Sequence, residues 1–454
     1  MRVAPPVLPG AQTVDSPLDR ALALLLAGER EAALRWSAAV VQQDASVSSA
    51  LILTCRLLAD AGRTEAAIEG FQLGVKRAID TGNLPLAIAA VGDLKTLGVD
   101  VNAALDEIAD AFCAGSPRLS EDAAPPPPPL PHDASFQPLS SFLTGPALLS
   151  KATQIIHAAS TEYEELADGA APLVSPLSLF SALEKDGLRA LIGCFEMITV
   201  PAGKAVIQEG EEGAEAYIVA RGELVVRRKD GEDGPNIDLA RLTNGALFGE
   251  MALLSRAPRA ASVVAHRPSI LLVATREALE EVAAVRPDVG VELAAHCRRR
   301  MVTNLLRTSK VLLSVPQLER PALVERFETK VFETGDKLIE NGQDTSGLHL
   351  IASGEVGVVG REDNGENFQI ATLGVGETVG EVALVLRRKA NADVVAVTPT
   401  VTLHLPREDF LSLIQEHPAI LASLYLCAVE RDEETTSVLA GTSTVALAED
   451  YDLV

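Results

Sequence analysis

The segment IQEGEEGAEAYIVARGEL (207–224) returns as IENGQDTSGLHLIASGEV (339–356), 132 residues later, and FGEMALL (248–254) returns as VGEVALV (379–385), 131 residues later. A stretch that repeats with its glycines in register folds twice in the same way, so the chain from about 175 to 435 is expected to form two like modules in tandem. Each copy is a series of short β-branched and apolar runs punctuated by glycine pairs, Gly210 with Gly222 and Gly342 with Gly354. That is the pattern of many short strands joined by tight turns. Helical segments at 176–193, 276–309 and 407–433 bracket the strands.

A second, shorter repeat precedes them. LLLAGEREAAL (24–34) recurs as LLADAGRTEAAI (57–68), with Gly28 and Gly62 separated by 34 residues and Ala32-Ala33 matched by Ala66-Ala67. A glycine closing one helix, an acid near the start of the next and small alanines where helices touch are what a stacked helical hairpin needs. This stretch resembles the tetratricopeptide repeat, whose period it shares; the alternative is an ordinary helical bundle. In either case residues 16–113 are expected to hold a protein partner or another copy of the chain. Residues 114–172 read as a proline-rich linker with a helical segment from Pro146 to Leu166. Five consecutive prolines favour a stiff spacer over a ligand for an aromatic-lined groove. Residues 1–15 are expected to be a disordered tail and 436–454 an acidic one. The fold expected is α+β and multidomain: helical hairpins, then two β-rolls flanked by helices, one over 173–309 and one over 310–435.

Charge and composition exclude several functions. With 39 Lys and Arg against 63 Asp and Glu, a net charge of −24 repels a phosphate backbone, and no basic stripe overcomes it. Nucleic acid is therefore not expected as a partner. No apolar run approaches the roughly 18–20 residues of a membrane span, and MRVAPPVLPG lacks the unbroken apolar stretch of a secretory signal. A cytoplasmic location is expected. Five cysteines, Cys55, Cys113, Cys194, Cys297 and Cys427, are scattered singly with no histidine at zinc spacing and read as reduced core thiols. GVGETVG (374–380) has the wrong spacing for a dinucleotide loop and aligns with a turn of the first module, and RRR (298–300) reads as a solvated helix face. No P-loop, nucleophile elbow or HExxH is present, so neither catalytic residues nor a metal or cofactor is expected.

The string FGEMALLSRAPRAASVV (248–264) carries the chemistry. Arg259 supplies a guanidinium that stays charged when buried and can fork onto two oxygens of a phosphodiester. Glu250 can accept from a sugar hydroxyl while balancing that cation. Gly249 lets backbone approach the ligand, and a short helix from Glu250 to Leu254 would turn free N–H groups toward an anion. Pro258 fixes the backbone before the arginine, and the small Ala260 and Ala261 leave room. The bland alternative, a loop salt bridge between Glu250 and Arg259, leaves the matching context unexplained. With VPAGKAVIQEGEEGAEAYIVARGELVV (200–226), the string resembles the phosphate-binding cassette of the cyclic-nucleotide-binding domain family. The resemblance implies a ligand site at Gly249, Glu250, Met251, Ala252, Arg259, Ala260 and Ala261, with the amides of Ala252 and Ala260 as donors. It implies cyclic AMP over cyclic GMP, because Ala260 stands where a threonine accompanies the guanine base. Met301 and Leu305 suit either a base cap or plain packing.

In the second module Glu381 survives, but Ala390 occupies the arginine position, and Asn391 and Asp393 replace Ala260 and Ser262. That roll is expected to be empty and to serve packing, dimerisation or relay, with Arg387, Arg388 and Lys389 forming a solvated turn. The function expected is a non-catalytic cyclic-nucleotide receptor that relays binding to a protein partner. The competing class is a ligand-independent scaffold. Tandem rolls behind a linker resemble the regulatory subunits of cyclic-AMP-dependent protein kinase, whose linker inhibitor sequence carries two arginines. Pro117-Arg118-Leu119-Ser120 has one. Catabolite-activator regulators place a DNA-reading helix-turn-helix after the roll, where this chain places another roll.

Overall fold

Apolar faces at helical spacing build six helices in succession: α1 (Pro17–Leu26), α2 (Arg30–Gln43), α3 (Ser48–Asp60), α4 (Thr64–Asp80), α5 (Leu84–Thr96) and α6 (Asn102–Phe112). The computed structural model describes residues 16–126, 135–166, 171–229, 235–253, 258–309, 323, 325–361, 367–418, 420–422, 424–433 and 435. The expected tails 1–15 and 436–454, and three of the five prolines, lie outside the described residues. α1 and α3 stop in the same way. Gly28 and Gly62 take φ of +84° and +79°, and the following amides reach back five residues, Glu29 N to Leu24 O at 2.9 Å and Arg63 N to Leu58 O at 2.8 Å. Left-handed backbone costs glycine nothing and satisfies carbonyls the helix end would leave open. The same closure follows α4 and α5. Ala33 and Ala67, matched in the repeat, are fully buried.

The described parts of 114–172 are packed rather than free. Arg118 Nη2 meets Asp80 Oδ1 at 3.1 Å, Arg118 Nε donates to Pro172 O, and Ser120 N donates to Val174 O at 3.0 Å. Further on, Phe136 stacks on Trp36. Helix α7 (Gly145–Leu166) then lies against α2, α3 and α4, burying Ala152 and Ile156.

After α8 (Lys185–Ile192) come eight short strands: β1 (Glu196–Val200), β2 (Ala205–Ile207), β3 (Glu215–Arg221), β4 (Leu224–Lys229), β5 (Asn236–Leu242), β6 (Leu247–Phe248), β7 (Ser262–Ala265) and β8 (Ser269–Thr275). They form two antiparallel sheets, ordered β1-β8-β3-β6 and β2-β7-β4-β5. Helices α9 (Arg276–Val285) and α10 (Pro287–Thr308) follow. The next eight strands are β9 (Glu328–Phe332), β10 (Lys337–Ile339), β11 (Gly347–Ser353), β12 (Val356–Arg361), β13 (Asn367–Leu373), β14 (Thr378–Val379), β15 (Asp393–Ala396) and β16 (Thr400–Pro406). They repeat the topology strand for strand, β9-β16-β11-β14 and β10-β15-β12-β13. The cores match as well: Ile207, Val219, Leu224, Phe248 and Val263 in the first roll answer to Ile339, Ile351, Val356, Val379 and Val394 in the second. Both rolls also need glycine after β3 and β11. A β-carbon would lie 2.9 Å from Ser269 Cα at Gly222 and 2.8 Å from Thr400 Cα at Gly354.

Backbone contacts divide the chain into two compact units. One takes in the described residues up to Glu209, with Glu215–Glu250 and Ala261–Leu293. The other takes in Gly210–Ala214, Met251–Ala260 and the described residues from Ala294 onward.

Candidate functional site

β6 ends at Phe248 and is followed by Gly249, whose φ of +75° only glycine adopts freely. The chain then enters a short 3-10 turn, Glu250–Leu253, with Glu250 buried to 4% exposure. A carboxylate is buried only where it has partners, and Glu250 has them. Ala252 lies in the same turn. Met251 packs, partly buried, against a cluster that includes Met301, Leu305 and Phe327. Met301 and Leu305 are therefore core side chains of this structure, buried to 3% and 2% exposure. Residues 254–257 of the loop lie outside the described residues.

Where the loop resumes, Arg259 is pinned by its backbone. Its N–H donates to Glu211 O at 2.9 Å and its carbonyl accepts from Gly210 N at 2.8 Å. The guanidinium lies on Gly213, where any β-carbon would overlap Nη2, Nε and Cζ. Ala260 is exposed and Ala261 half-buried. Gly213 was not among the residues singled out from the sequence, although a signal existed. Its counterpart 132 positions on is Thr345, in the one module whose arginine is missing. Space for a guanidinium and the guanidinium itself are present together in one copy and absent together in the other.

The second roll keeps the backbone frame. Gly342 N donates to Ala390 O at 2.8 Å and Ala390 N to Gln343 O at 2.9 Å, the same exchange made around Arg259. In place of the arginine there is a methyl group, and the Thr345 hydroxyl donates to Gly347 O at 2.9 Å. The Glu381 carboxylate, 2% exposed, accepts from Arg431 Nη1 at 2.7 Å. Arg431 also donates to Glu377 at 3.0 Å and to Thr378 O. Burial raises the Glu381 pKa above the ordinary carboxylate value, against the pull of Arg431. Burial works against the charge on Arg431, and Glu381, Cys427 and Glu377 together outweigh it and raise that pKa. Arg431 belongs to the helix Ile420–Glu433, about 40 residues beyond the loop, and no sequence pattern had marked it. Asp393 is balanced locally, accepting from Lys337 Nζ and Asn341 N, both at 2.8 Å. In the expected solvated turn Arg387, Arg388 and Lys389 are exposed, and Arg388 pairs with Asp432.

This roll, expected to be empty, contains a cavity. It opens to solvent and lies among Ile339, Val358, Leu373, Val394, Glu381 and Arg431. Among the described residues no cluster of His, Cys, Asp and Glu could hold a metal ion. No single helix among them is long and apolar enough to cross a membrane.

Residues 197–285 and 329–417 each match the cyclic nucleotide-binding domain family. Over 245 residues, 53% of its length, the chain is 31% identical to a cAMP-dependent protein kinase regulatory subunit of Yarrowia lipolytica. Over 230 residues, 51% of its length, it is 28% identical to the type II regulatory subunit of Drosophila melanogaster. The chain spans 60% and 57% of the lengths of these relatives. Among solved structures, the regulatory domain of Toxoplasma gondii PKA with cAMP aligns at 25% identity and a TM-score of 0.29, covering 56% of this chain and 92% of that one.

Proposed function

The chain carries two cyclic nucleotide-binding domains in tandem after an N-terminal helical region, and from that premise we propose that it is a non-catalytic receptor for cyclic AMP. Its first domain takes the nucleotide, cyclic GMP more weakly, and relays occupancy to a protein partner. The observation that carries this reading is the seating of Arg259 on Gly213, with its backbone fixed by Gly210 and Glu211. A planar cation held in one place can fork onto the equatorial and axial oxygens of a cyclic phosphodiester, and the buried Glu250 nearby in sequence is an acceptor for the ribose hydroxyl. By the resemblance of the continuous loop sequence, Gly249, Ala252, Ala260 and Ala261 would supply backbone donors and room. Met251, whose side chain packs, contributes through its main chain.

Because the similar proteins are named as kinase regulatory subunits, a protein kinase is the partner we favour, met in the cytoplasm through the helices α1–α6. The one-arginine segment Pro117–Ser120 supports a contact of a different kind from an inhibitor strand, since Arg118 is engaged by Asp80 and Pro172. Calorimetry with cyclic AMP and cyclic GMP on the full chain and on Arg259→Ala tests the reading. Saturable cyclic AMP binding that falls at least tenfold in the variant supports it. Absence of binding to the unaltered chain would favour the scaffold class instead.

A further inference from the structure

Three side chains of the second roll, one just before β11 and one each on β16 and β9, form a cluster that the function proposed above does not use. Ser346 Oγ lies 3.1 Å from His404 Nε2, and on the far side of the ring His404 Nδ1 faces Glu328 Oε2 at 3.8 Å. None of the three lines the cavity of this roll. The fold sets each in place. Glu328 and His404 are directly opposite in the register of β9 and β16, and the carbonyl of Ser346 accepts from Arg407 N at 2.9 Å. Beside them is Gly347, where a β-carbon would lie 2.7 Å from His404 Nε2. A side chain there would close the ring's path to the serine.

The first roll shows that the fold does not need this cluster. There β1 pairs Glu196 with Val273 in the same register, and Ala214 and Glu215 stand where the second roll has Ser346 and Gly347. Only the carboxylate is common to both copies. The second roll alone carries the hydroxyl, the imidazole and the glycine that lets them meet.

A serine hydroxyl is a weak nucleophile until a neighbouring base takes its proton, and that base acts best when a third group orients it. With a carboxylate facing Nδ1, the ring's proton belongs on that nitrogen, which leaves Nε2 to accept from the hydroxyl. Burial, with Lys330 adding repulsion, lowers the His404 pKa against the pull of Glu328. The ring is therefore free to take a proton at neutral pH. Ser346 is exposed, so an electrophile can reach it.

We propose that Ser346 is a covalent modification site that accepts the acyl group of an activated carboxylic ester, with His404 as its base and Glu328 positioning the ring. Ser346 Oγ bonds to the carbonyl carbon while its proton passes to His404 Nε2. The bond from that carbon to the leaving oxygen breaks, the oxygen keeps the electron pair, and the proton returns to it from the imidazolium.

The test incubates the full chain with p-nitrophenyl acetate at neutral pH and locates acetyl groups by peptide mass spectrometry after an acid quench. Ser346 should be labelled at least tenfold faster than in the chain unfolded by urea. His404→Gln, whose amide can keep a hydrogen bond to the serine but takes no proton, should slow this labelling at least tenfold. Glu328→Gln removes the charge that raises the His404 pKa and should move the pH of half-maximal labelling downward; Lys330 of β9 and His349 of β11 also face the ring and stay in place. Ser346→Ala installs the first roll's residue, should keep the fold by circular dichroism, and should remove the acetylated peptide. The proposal is overturned if Ser346 stays unlabelled, if the urea-unfolded chain is labelled as fast, or if His404→Gln leaves the rate unchanged. An unmoved pH midpoint in Glu328→Gln overturns the role given to that carboxylate.

Discussion

The Asp19 carboxylate, in the first turn of α1, accepts from Arg267 Nε at 2.7 Å across 248 positions of sequence. Arg221, at the end of β3, pairs with the other oxygen of the same carboxylate, and its Nη1 donates to Pro268 O at 2.7 Å. All three side chains are buried, and burial pulls the Arg221 pKa below its ordinary value despite Asp19. Nearby, Asn83 Nδ2 donates to Ala220 O at 3.3 Å. Buried charge thus ties α1 to β3 and the β7–β8 turn of the first roll, all within one compact unit.

Removing the shared carboxylate leaves two buried guanidiniums facing each other. Breaking a buried pair in this way typically costs about 3–5 kcal/mol. Asp19→Asn is expected to lower the stability of the first unit by that order, measured as a shift of the urea unfolding midpoint followed by Trp36 fluorescence.

Gly213 should be as sensitive to substitution as the arginine it seats. Gly213→Ala places a β-carbon where Arg259 now lies and should displace the guanidinium. Truncating one member of a buried charge pair costs about 2–5 kcal/mol, so cyclic AMP affinity should fall at least tenfold in calorimetry. Circular dichroism should be unchanged, because position 213 lies outside the strands.

The second roll should weaken in mild acid. His349 is buried in β11, with Nδ1 3.0 Å from Thr402 Oγ1 and its ring 4.5 Å from that of His404. Burial, with His404 and Lys330 adding repulsion, lowers its pKa to about 3. The unfolded chain therefore binds a proton that the folded chain refuses between about pH 6.5 and 3. Stability is full above 6.5 and falls as pH drops through that window, by at most about 1.4 kcal/mol per unit. Urea unfolding at pH 7.0, 6.0 and 5.0 should show this slope, and His349→Phe should flatten it, leaving the smaller share of His404, whose pKa burial also lowers.

Arg118→Ala should loosen the segment after α6 without unfolding the helices. Partly exposed ion pairs contribute up to about 1 kcal/mol. The amides of Ser120 and Val174, which close the Leu119–Val174 bridge, should exchange about fivefold faster by hydrogen–deuterium exchange. Those of α3 and α4 should keep their rates.

What could be read from the linear chain was whatever repeats or stays local. The two rolls followed from a repeat whose glycines held register, because a left-handed turn admits little else, and Gly222 and Gly354 sit where a side chain cannot. The helix closures at Gly28 and Gly62 followed for the same reason. Arg259, Glu250 and the missing arginine at Ala390 were visible because the loop bearing them is one continuous string.

Tertiary structure alone decided the rest, since it depends on where distant segments come to lie. Asp19 between Arg221 and Arg267, Arg118 on Asp80, Gly213 under Arg259 and Arg431 on Glu381 are meetings across 248, 38, 46 and 50 positions or similar spans, and no periodicity encodes them. A charge in a sequence has no address until the fold places it. Burial then settles whether it must find a partner, and in this protein that requirement ties the helices to the first roll and gives the second roll's pocket its chemistry.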